Sequence, residues 1–366
     1  MKIECVKEKL GIALIKADRI TGKKLTLPIL SCIMLEAKNN MLFIRATNLD
    51  LGIEISIPVK VEREGTVVIP NSVLTRFITS TQGEKNIKLD VIDGLMSVSI
   101  GNSTASIKTF PSEDFPTIPR VAASKVMQIN SKDIVLGLKS VWYSSSTSSM
   151  KPELSSVYIH ASNGEITFAA TDSFRLAEKR ITIKKKLEIP SLLIPFKNTL
   201  DIIKVLEEET GEIEMFYTNN QISFVLPGLY LVSRVIDGSF PDYKQIVPKE
   251  FTTEAVVLKQ DILNVFKIST IFSDTFNQIN IKILPKEKKV QIQTKNSEVG
   301  ENSNSIEAAL NGESVDINFN YKYIVDCFQS IVTDSVSLAF NGPTRPLVIR
   351  GVGDNTFMYL VMPMNR

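Results

Sequence analysis

The chain has 366 residues, 43% hydrophobic and 22% charged, with a net charge of +2. One hydrophobic core stops growing at about 250–300 residues, so two or three domains are expected, and the balanced charge excludes an overall basic field. No apolar run reaches the roughly 20 residues that span a membrane, and Met1–Ile20 carries charge throughout and does not read as a signal peptide, so a cytoplasmic location is expected.

In chain order, Val6-Lys7-Glu8-Lys9-Leu10 opens an amphipathic helix with Leu10, Ile12, Leu14 and Ile15 as its apolar face. Alternating strands follow at Cys32–Ala37, Leu42–Thr47 and Ile53–Pro58. After Val68-Ile69-Pro70 a second helix begins near Asn71, then strands at Ile87–Val91, Met96–Ile100 and Ala105–Thr109. The same order returns from Ser131, whose helix places Ile134, Leu138 and Val141 on one face. Its strands are Val157–Ala161, Ile166–Ala170 and Ala177–Ile183, its second helix starts near Lys197 after Leu193-Ile194-Pro195, and Ile213–Tyr217, Ile222–Leu226 and Tyr230–Val235 follow. A third copy starts at Lys259, with Ile262, Val265, Phe266 and Ile268 apolar. It continues through Ile279–Leu284, Val290–Thr294 and Ser305–Leu310, a helix near Tyr321, and strands Val336–Phe340, Leu347–Arg350 and Phe357–Met362.

First helices begin at Lys7, Ser131 and Lys259, spaced by 124 and 128 residues; second helices begin at Asn71, Lys197 and Tyr321, spaced by 126 and 124. Two independent markers with nearly one period define an internal repeat. Turn residues repeat as well, in Ala46-Thr47-Asn48, Ala170-Thr171-Asp172 and Gln293-Thr294-Lys295-Asn296. Each unit has two helices and many antiparallel-type strands, and both helices must bury a stripe against a sheet. The expected fold is α+β, with three tandem domains at residues 1–124, 125–250 and 251–366 joined by the short links Val121-Ala122-Ala123-Ser124 and Pro248-Lys249-Glu250.

Catalytic and metal chemistry find little material. Cys5, Cys32 and Cys327 are scattered without a Cys-x-x-Cys, and His160 is the sole histidine, so buried reduced thiols are expected and neither a zinc site nor histidine-based acid–base catalysis is. Asp172, Ser173 and His160 do not form a hydrolase set, because no Gly-x-Ser-x-Gly elbow is present, and there is no Gly-rich nucleotide loop. No enzyme activity, cofactor or metal is expected.

Several motifs give the repeat a family likeness. They are Thr26-Leu27-Pro28-Ile29-Leu30, Phe110-Pro111 with Asp114-Phe115-Pro116, Thr171-Asp172-Ser173-Phe174-Arg175-Leu176-Ala177, Asp237-Gly238-Ser239-Phe240-Pro241-Asp242-Tyr243 and Val361-Met362-Pro363-Met364. In this order, over the whole chain, they resemble the beta subunit of bacterial DNA polymerase III, the DNA sliding clamp. The resemblance implies a head-to-tail homodimer of six domains closing a ring around duplex DNA. It also implies tethering of the polymerase III alpha subunit, clamp-loader subunits, other polymerases and repair factors through short peptides, and no membrane partner.

A clamp holds DNA through phosphates rather than bases. Lys24 and Lys197 match basic family positions, and Lys9, Lys16, Arg76, Lys139, Lys204 and Lys267 lie on the helices, with Lys132, Lys259 and Lys322 beside them. Lys184-Lys185-Lys186 reads as an outer loop and Glu207-Glu208-Glu209 as a solvated helix end. The family's peptide pocket maps to Leu154, Thr171, Ser173, Phe174, Arg175, Leu176, Pro241, Asn320, Tyr323, Val361, Met362, Pro363 and Met364. Phe174 stands where the family usually has histidine and Gln245 where arginine is common, so a shifted peptide preference is expected. For the dimer contact the expectation is Ile107 against Ile271 and Phe272, with Glu298 and Glu301 facing Arg76 or other basic residues. The alternative reading is a divergent clamp-fold peptide-binding scaffold that does not encircle DNA. A single-strand binder using aromatic stacking is disfavoured by only 7% aromatics, none of them clustered in a basic strand face.

Overall fold

A computed structural model of the chain describes residues 1–22, 27–121, 126–183 and 188–364. Among them are six α-helices: α1 (Lys7–Ile20), α2 (Asn71–Ser80), α3 (Ser131–Val141), α4 (Phe196–Leu206), α5 (Lys259–Ser269) and α6 (Tyr321–Cys327). The chain forms two compact units, Met1–Val135 with Lys197–Asp237, and Leu136–Phe196 with Gly238–Arg366. The division therefore runs through the second repeat, and each unit holds one and a half repeats.

The first unit has a five-stranded antiparallel sheet in the order Lys60–Arg63, Lys2–Val6, Asn86–Ile92, Leu95–Ile100 and Ser103–Lys108. Its second sheet has eight strands: Val126–Asn130, Glu212–Tyr217, Gln221–Leu226, Leu229–Arg234, Leu51–Pro58, Met41–Thr47, Cys32–Lys38 and Gly65–Pro70. Repeats one and two meet in this sheet, where Leu229–Arg234 pairs with Leu51–Pro58 in a register that sets Ser233 opposite Leu51.

The second unit repeats the plan. A nine-stranded sheet runs Ile189–Pro195, Ser156–Ser162, Glu165–Thr171, Arg175–Thr182, Phe357–Val361, Leu347–Gly351, Ser335–Phe340, Thr253–Leu258 and Ala309–Gly312. Repeats two and three meet where Arg175 lies opposite Val361. The remaining sheet runs Gly300–Glu307, Lys289–Asn296, Gln278–Leu284 and Val315–Asn320. Its outer strand Gly300–Glu307 has a neighbour on one side only, as does Ser103–Lys108 in the first unit.

Helices cover the sheets through close contacts that small residues permit. On α1 the buried arc is Leu10, Gly11, Ala13, Leu14, Lys16, Ala17 and Ile20. Ile12 and Ile15, assigned from the sequence to the apolar face, are 46% and 40% exposed, because glycine and alanine take the contact side and let the helix sit low. On α3, a Cβ at Gly137 would lie 2.3 Å from Cε2 of the fully buried Phe168, so only glycine fits there. Such overpacking typically costs about 1–3 kcal/mol.

Three further expectations change. A short strand precedes each first helix, at Lys2–Val6, Val126–Asn130 and Thr253–Leu258; each runs directly into its helix without a turn signal to mark it. The stretch Ser305–Leu310 divides into Gly300–Glu307 and Ala309–Gly312, which belong to different sheets. The polar run Gly300-Glu301-Asn302-Ser303-Asn304 hides the first of these, since an exposed edge needs no apolar alternation. Third, Lys16 is buried and ion-paired to Glu209, with Glu208 3.9 Å away, so it braces α1 against the end of α4 and Glu209 is not simply solvated.

A charged cluster spans the first junction on the sheet face. Glu54 accepts from Arg45 and Arg120, Arg45 also reaches Glu36 at 2.7 Å, and Arg120 stacks 4.2 Å from the centroid of Tyr230. Burial pushes the Glu54 carboxyl up, but the two guanidinium groups outweigh burial and hold it below its ordinary value. A depressed carboxyl contributes stability that is present above its unfolded pKa and is lost as pH falls through the folded value. Glu54→Gln is therefore expected to lower the melting temperature at pH 7, with the gap to the parent protein closing as pH is lowered below about 4.3, the ordinary carboxyl range. A thermal melt series from pH 7 to pH 3 checks this; a gap that stays constant with pH contradicts it.

Candidate functional site

The segment Thr171-Asp172-Ser173-Phe174-Arg175 joins two strands of the nine-stranded sheet. Thr171 Oγ1 donates to the Arg175 carbonyl at 2.7 Å and accepts from the Ser173 N–H at 3.2 Å. Asp172 Oδ1 accepts from the Phe174 and Arg175 N–H groups at 2.9 and 3.0 Å. Ser173 has φ 78°, the left-handed region that costs a residue with a Cβ. This turn drives Phe174 outward, 60% exposed.

The first repeat contains the same turn. Thr47 Oγ1 donates to the Leu51 carbonyl at 2.7 Å, Asn48 Oδ1 accepts from Asp50 and Leu51 at 3.0 and 2.8 Å, and Leu49 has φ 77°. At its tip, however, Asp50 faces Arg234 at 3.5 Å, where the second turn presents an aromatic ring.

Arg175 organises the ground beneath Phe174. Its Nε donates to Asp172 at 2.9 Å, and a second nitrogen pairs with Asp326 on α6. The guanidinium lies 4.6 Å from the centroid of Tyr323, and the Phe174 ring lies near-parallel to Tyr323 at 6.4 Å and 22°. Burial alone would lower the Arg175 pKa, but Tyr359, Asp172 and Asp326 outweigh it and raise it above the ordinary value. Burial also raises Tyr323 and Tyr359, and the Tyr359 hydroxyl donates to the Tyr323 carbonyl at 2.7 Å. Asp326 and Tyr359 were not singled out from the sequence; Asp326 lies 151 residues from Arg175, and no local pattern links them.

The C-terminal segment forms another wall. Met362 N–H donates to the Phe174 carbonyl and Met364 N–H to the Asn318 carbonyl, both at 2.8 Å. Val361 is fully buried, while Met362, Pro363 and Met364 are half-buried. Leu176 and Met362 share an apolar cluster with Tyr243, and Asn320 caps α6 by accepting from the Lys322 N–H at 3.0 Å. The expected residues Thr171, Ser173, Phe174, Arg175, Leu176, Tyr323, Val361 and Met362 are thus brought together. Pro241 is exposed and linked to them through Tyr243, whose N–H donates to its carbonyl. Gln245 turns to Asp242 at 2.9 Å, and Leu154 is buried with its backbone held by Lys151 and Ser146.

The basic residues divide. Lys9, Arg76, Lys132, Lys197, Lys204, Lys267 and Lys322 are exposed and Lys139 is half-buried. Lys16 is committed to Glu209, and the Lys259 ammonium donates to the Ile331 carbonyl, so neither presents a free charge to a phosphate. Lys24 and the Lys184-Lys185-Lys186 run lie outside the described residues. Of the residues expected at a dimer contact, Ile107 is buried, Phe272 half-buried, Ile271 69% exposed, and Glu298, Glu301 and Arg76 exposed. In the third repeat Phe276 and Val299 are also exposed apolar residues, 69% and 59%, that the sequence does not single out.

Among the described residues no three acidic, cysteine or histidine groups cluster as metal ligands, and no helix is long and apolar enough to cross a membrane. The three cysteines are buried, with the Cys5 thiol pushed up to about 12 by burial.

Three tandem sheet-rich repeats joined edge to edge define a clamp-type fold. Family models of the DNA polymerase III beta subunit match in three successive parts: the N-terminal domain over residues 1–119, the central domain over 128–242 and the C-terminal domain over 244–365. The chain belongs to the DNA polymerase III beta-subunit family, the bacterial DNA sliding clamps. It is 24% identical to the beta sliding clamp of Synechococcus elongatus over 373 residues, covering 100% of this chain and 99% of that protein. It is also 24% identical to that of Staphylococcus aureus, covering 93% and 92%. The fold matches the DNA polymerase sliding clamp of Bacillus subtilis with TM-score 0.94 at 22% identity, covering 100% of this chain and 99% of that one. The DNA polymerase III beta subunit of Thermotoga maritima matches at TM-score 0.94 and 23% identity, with the same coverage.

Arg175 and Phe174 should separate in a stability assay. Arg175→Met strands the poorly exposed Asp172 and is expected to cost about 1–3 kcal/mol. Phe174→Ala, at an exposed tip, is expected to cost no more than about 0.5 kcal/mol. Urea midpoints check this; equal losses would contradict the division between support and contact.

Proposed function

We infer that this chain closes head-to-tail with a second copy into a six-domain ring, encircles duplex DNA without reading its sequence, and tethers replicative polymerase and other factors as a non-enzymatic processivity factor in the cytoplasm. The observation that carries this is a matched pair of open edges. At both internal junctions the last strand of one repeat's first sheet pairs with the turn-following strand of its neighbour. Ser233 meets Leu51, and Arg175 meets Val361. Among the strands at the sheet edges, Ser103–Lys108 and Gly300–Glu307 are the third copies of those two elements. Transferring the register through the repeat sets Ile107 of one chain opposite Gly300 of the other, and Ser106 opposite Glu301. Ile271, Phe272 and Phe276 then supply apolar cover on the third-repeat side, with Glu298 and Glu301 near basic groups such as Arg76; exposed pairs of this kind add little each. A heterologous contact of this sort makes a ring when its rotation closes.

In this reading Lys9, Arg76, Lys139, Lys197, Lys204 and Lys267 offer dispersed phosphate contacts, Lys24 joins them, and domain limits fall near residues 124 and 250. Affinity for DNA then depends on salt and not on sequence. The Phe174–Tyr323–Met362 site receives short peptides of polymerase and clamp-loader partners. Its exposed aromatic step and adaptable methionines suit apolar side chains, and Phe174 with Gln245 shifts the peptide preference. A Gln-Leu-x-Leu-Phe-type peptide is expected to bind saturably; no saturation on the order of hundreds of micromolar, weaker than about −5 kcal/mol, would overturn this part.

The register itself is open to direct test. A Ser106→Cys, Glu301→Cys double variant is expected to give a covalent dimer on oxidation, against a quiet background because the native cysteines are buried. Ile271→Ala with Phe272→Ala is expected to shift the protein toward monomer. Failure to crosslink together with an unchanged dimer mass at nanomolar protein would reject the assignment.

A further inference from the structure

Arg175 lies at the root of the turn that displays Phe174, and two carboxylates hold it in different ways. Asp172 sits three residues earlier in the same turn and also accepts from the Phe174 and Arg175 N–H groups, so it serves the turn itself. Asp326 comes from α6 and ties the turn to that helix. Tyr323 lies three residues before Asp326, so the two side chains share a face of α6. The guanidinium reaches Asp326 while lying over the Tyr323 ring, and the Phe174 ring runs near-parallel to the same tyrosine. The first junction ties its twin turn to the neighbouring second helix with different chemistry. There the buried Asn198 of α4 donates to the Asp50 carbonyl at 3.4 Å and to the Ser233 hydroxyl at 3.0 Å. A neutral, buried amide does at one junction what a partly solvated ion pair does at the other.

We propose that Asp326 is a positioning residue for peptide binding: by holding the Arg175 guanidinium over Tyr323, it fixes the Phe174–Tyr323 aromatic step in the arrangement that the peptide meets. The proposal rests on the peptide-binding reading above. An exposed ring at a turn tip is held by what lies beneath it, and here that support is a charge-assisted pair, roughly twice as strong as a neutral hydrogen bond. Without Asp326, Arg175 keeps Asp172, so no charge is stranded and the turn persists. The guanidinium is then free to leave Tyr323, and the step must be ordered as the peptide binds. Side chains ordered on binding cost affinity, whereas those locked beforehand by supporting hydrogen bonds do not. Asp326 acts in this way without touching the peptide.

The probe is a Gln-Leu-Ser-Leu-Phe peptide with both ends blocked, which carries no charge for a carboxylate to attract. It is titrated calorimetrically into the parent protein, Asp326→Ala, Arg175→Met and the double variant, each below its own melting temperature. Asp326→Ala is expected to bind about three- to tenfold more weakly than the parent, and to add less than about twofold to the loss from Arg175→Met, because residues that act through one another are not additive. Should Arg175→Met fail to fold, Asp326→Asn decides with this peptide and a Gln-Leu-Lys-Leu-Phe counterpart. Equal losses with both support positioning, and a loss confined to the lysine peptide overturns it. Equal affinity of Asp326→Ala and the parent, or losses that multiply in the double variant, overturns the proposal and leaves the peptide site standing. No saturable binding by the parent removes the peptide-binding reading, and the proposal with it.

Discussion

Backbone pairing at sheet edges is the constraint on which this structure depends. An edge strand leaves a row of unpaired N–H and C=O groups that invite another chain. Within each unit the repeats dispose of such edges by pairing with each other, Leu229–Arg234 on Leu51–Pro58 and Arg175–Thr182 on Phe357–Val361. The repeated geometry extends to the turns that lead into Leu51–Pro58 and Arg175–Thr182, where Thr47 and Thr171 make the same hydrogen bonds. Repetition at this level matches the Ser103–Lys108 and Gly300–Glu307 edges to one another, because each is a copy of an element already seen with its mate.

The same scaffold gives one turn an exposed aromatic tip that its twin lacks. Both turns are held by a threonine hydroxyl and an Asx carbonyl or carboxylate oxygen, and both force a left-handed residue, Leu49 or Ser173. One displays Asp50 beside Arg234, a solvated ion pair; the other displays Phe174 over Tyr323, with Arg175 locked beneath by two carboxylates. Local backbone chemistry sets the projection, and the identity of the tip residue decides whether an apolar surface exists. A rigid turn at a junction fixes where its exposed side chain points.

Much of this was legible in the sequence because period and turn chemistry are local. The repeat, the six helices and most strands followed from apolar spacing, and the family resemblance named several residues that the fold brings together around Phe174. What stayed hidden depended on tertiary partners. Ile12 and Ile15 carry the apolar character of α1, yet Gly11, Ala13 and Ala17 take its contact face, since close approach favoured small residues over large ones. Lys16 reads as a free cation until Glu209, 193 residues away, appears beside it. The Gly300–Glu307 strand has too few apolar residues to announce itself. Asp326 and Tyr359 support Arg175 across long chain separations that no local pattern encodes.

Ring closure is the claim on which DNA tethering depends, and solution mass with small-angle scattering tests it most directly. At micromolar protein the account predicts a particle of twice the 40.8 kDa chain mass, with the distance distribution of a hollow ring. A compact particle of 40.8 kDa would contradict it: the chain could not then encircle DNA unaided, and a peptide-binding scaffold would be the better description.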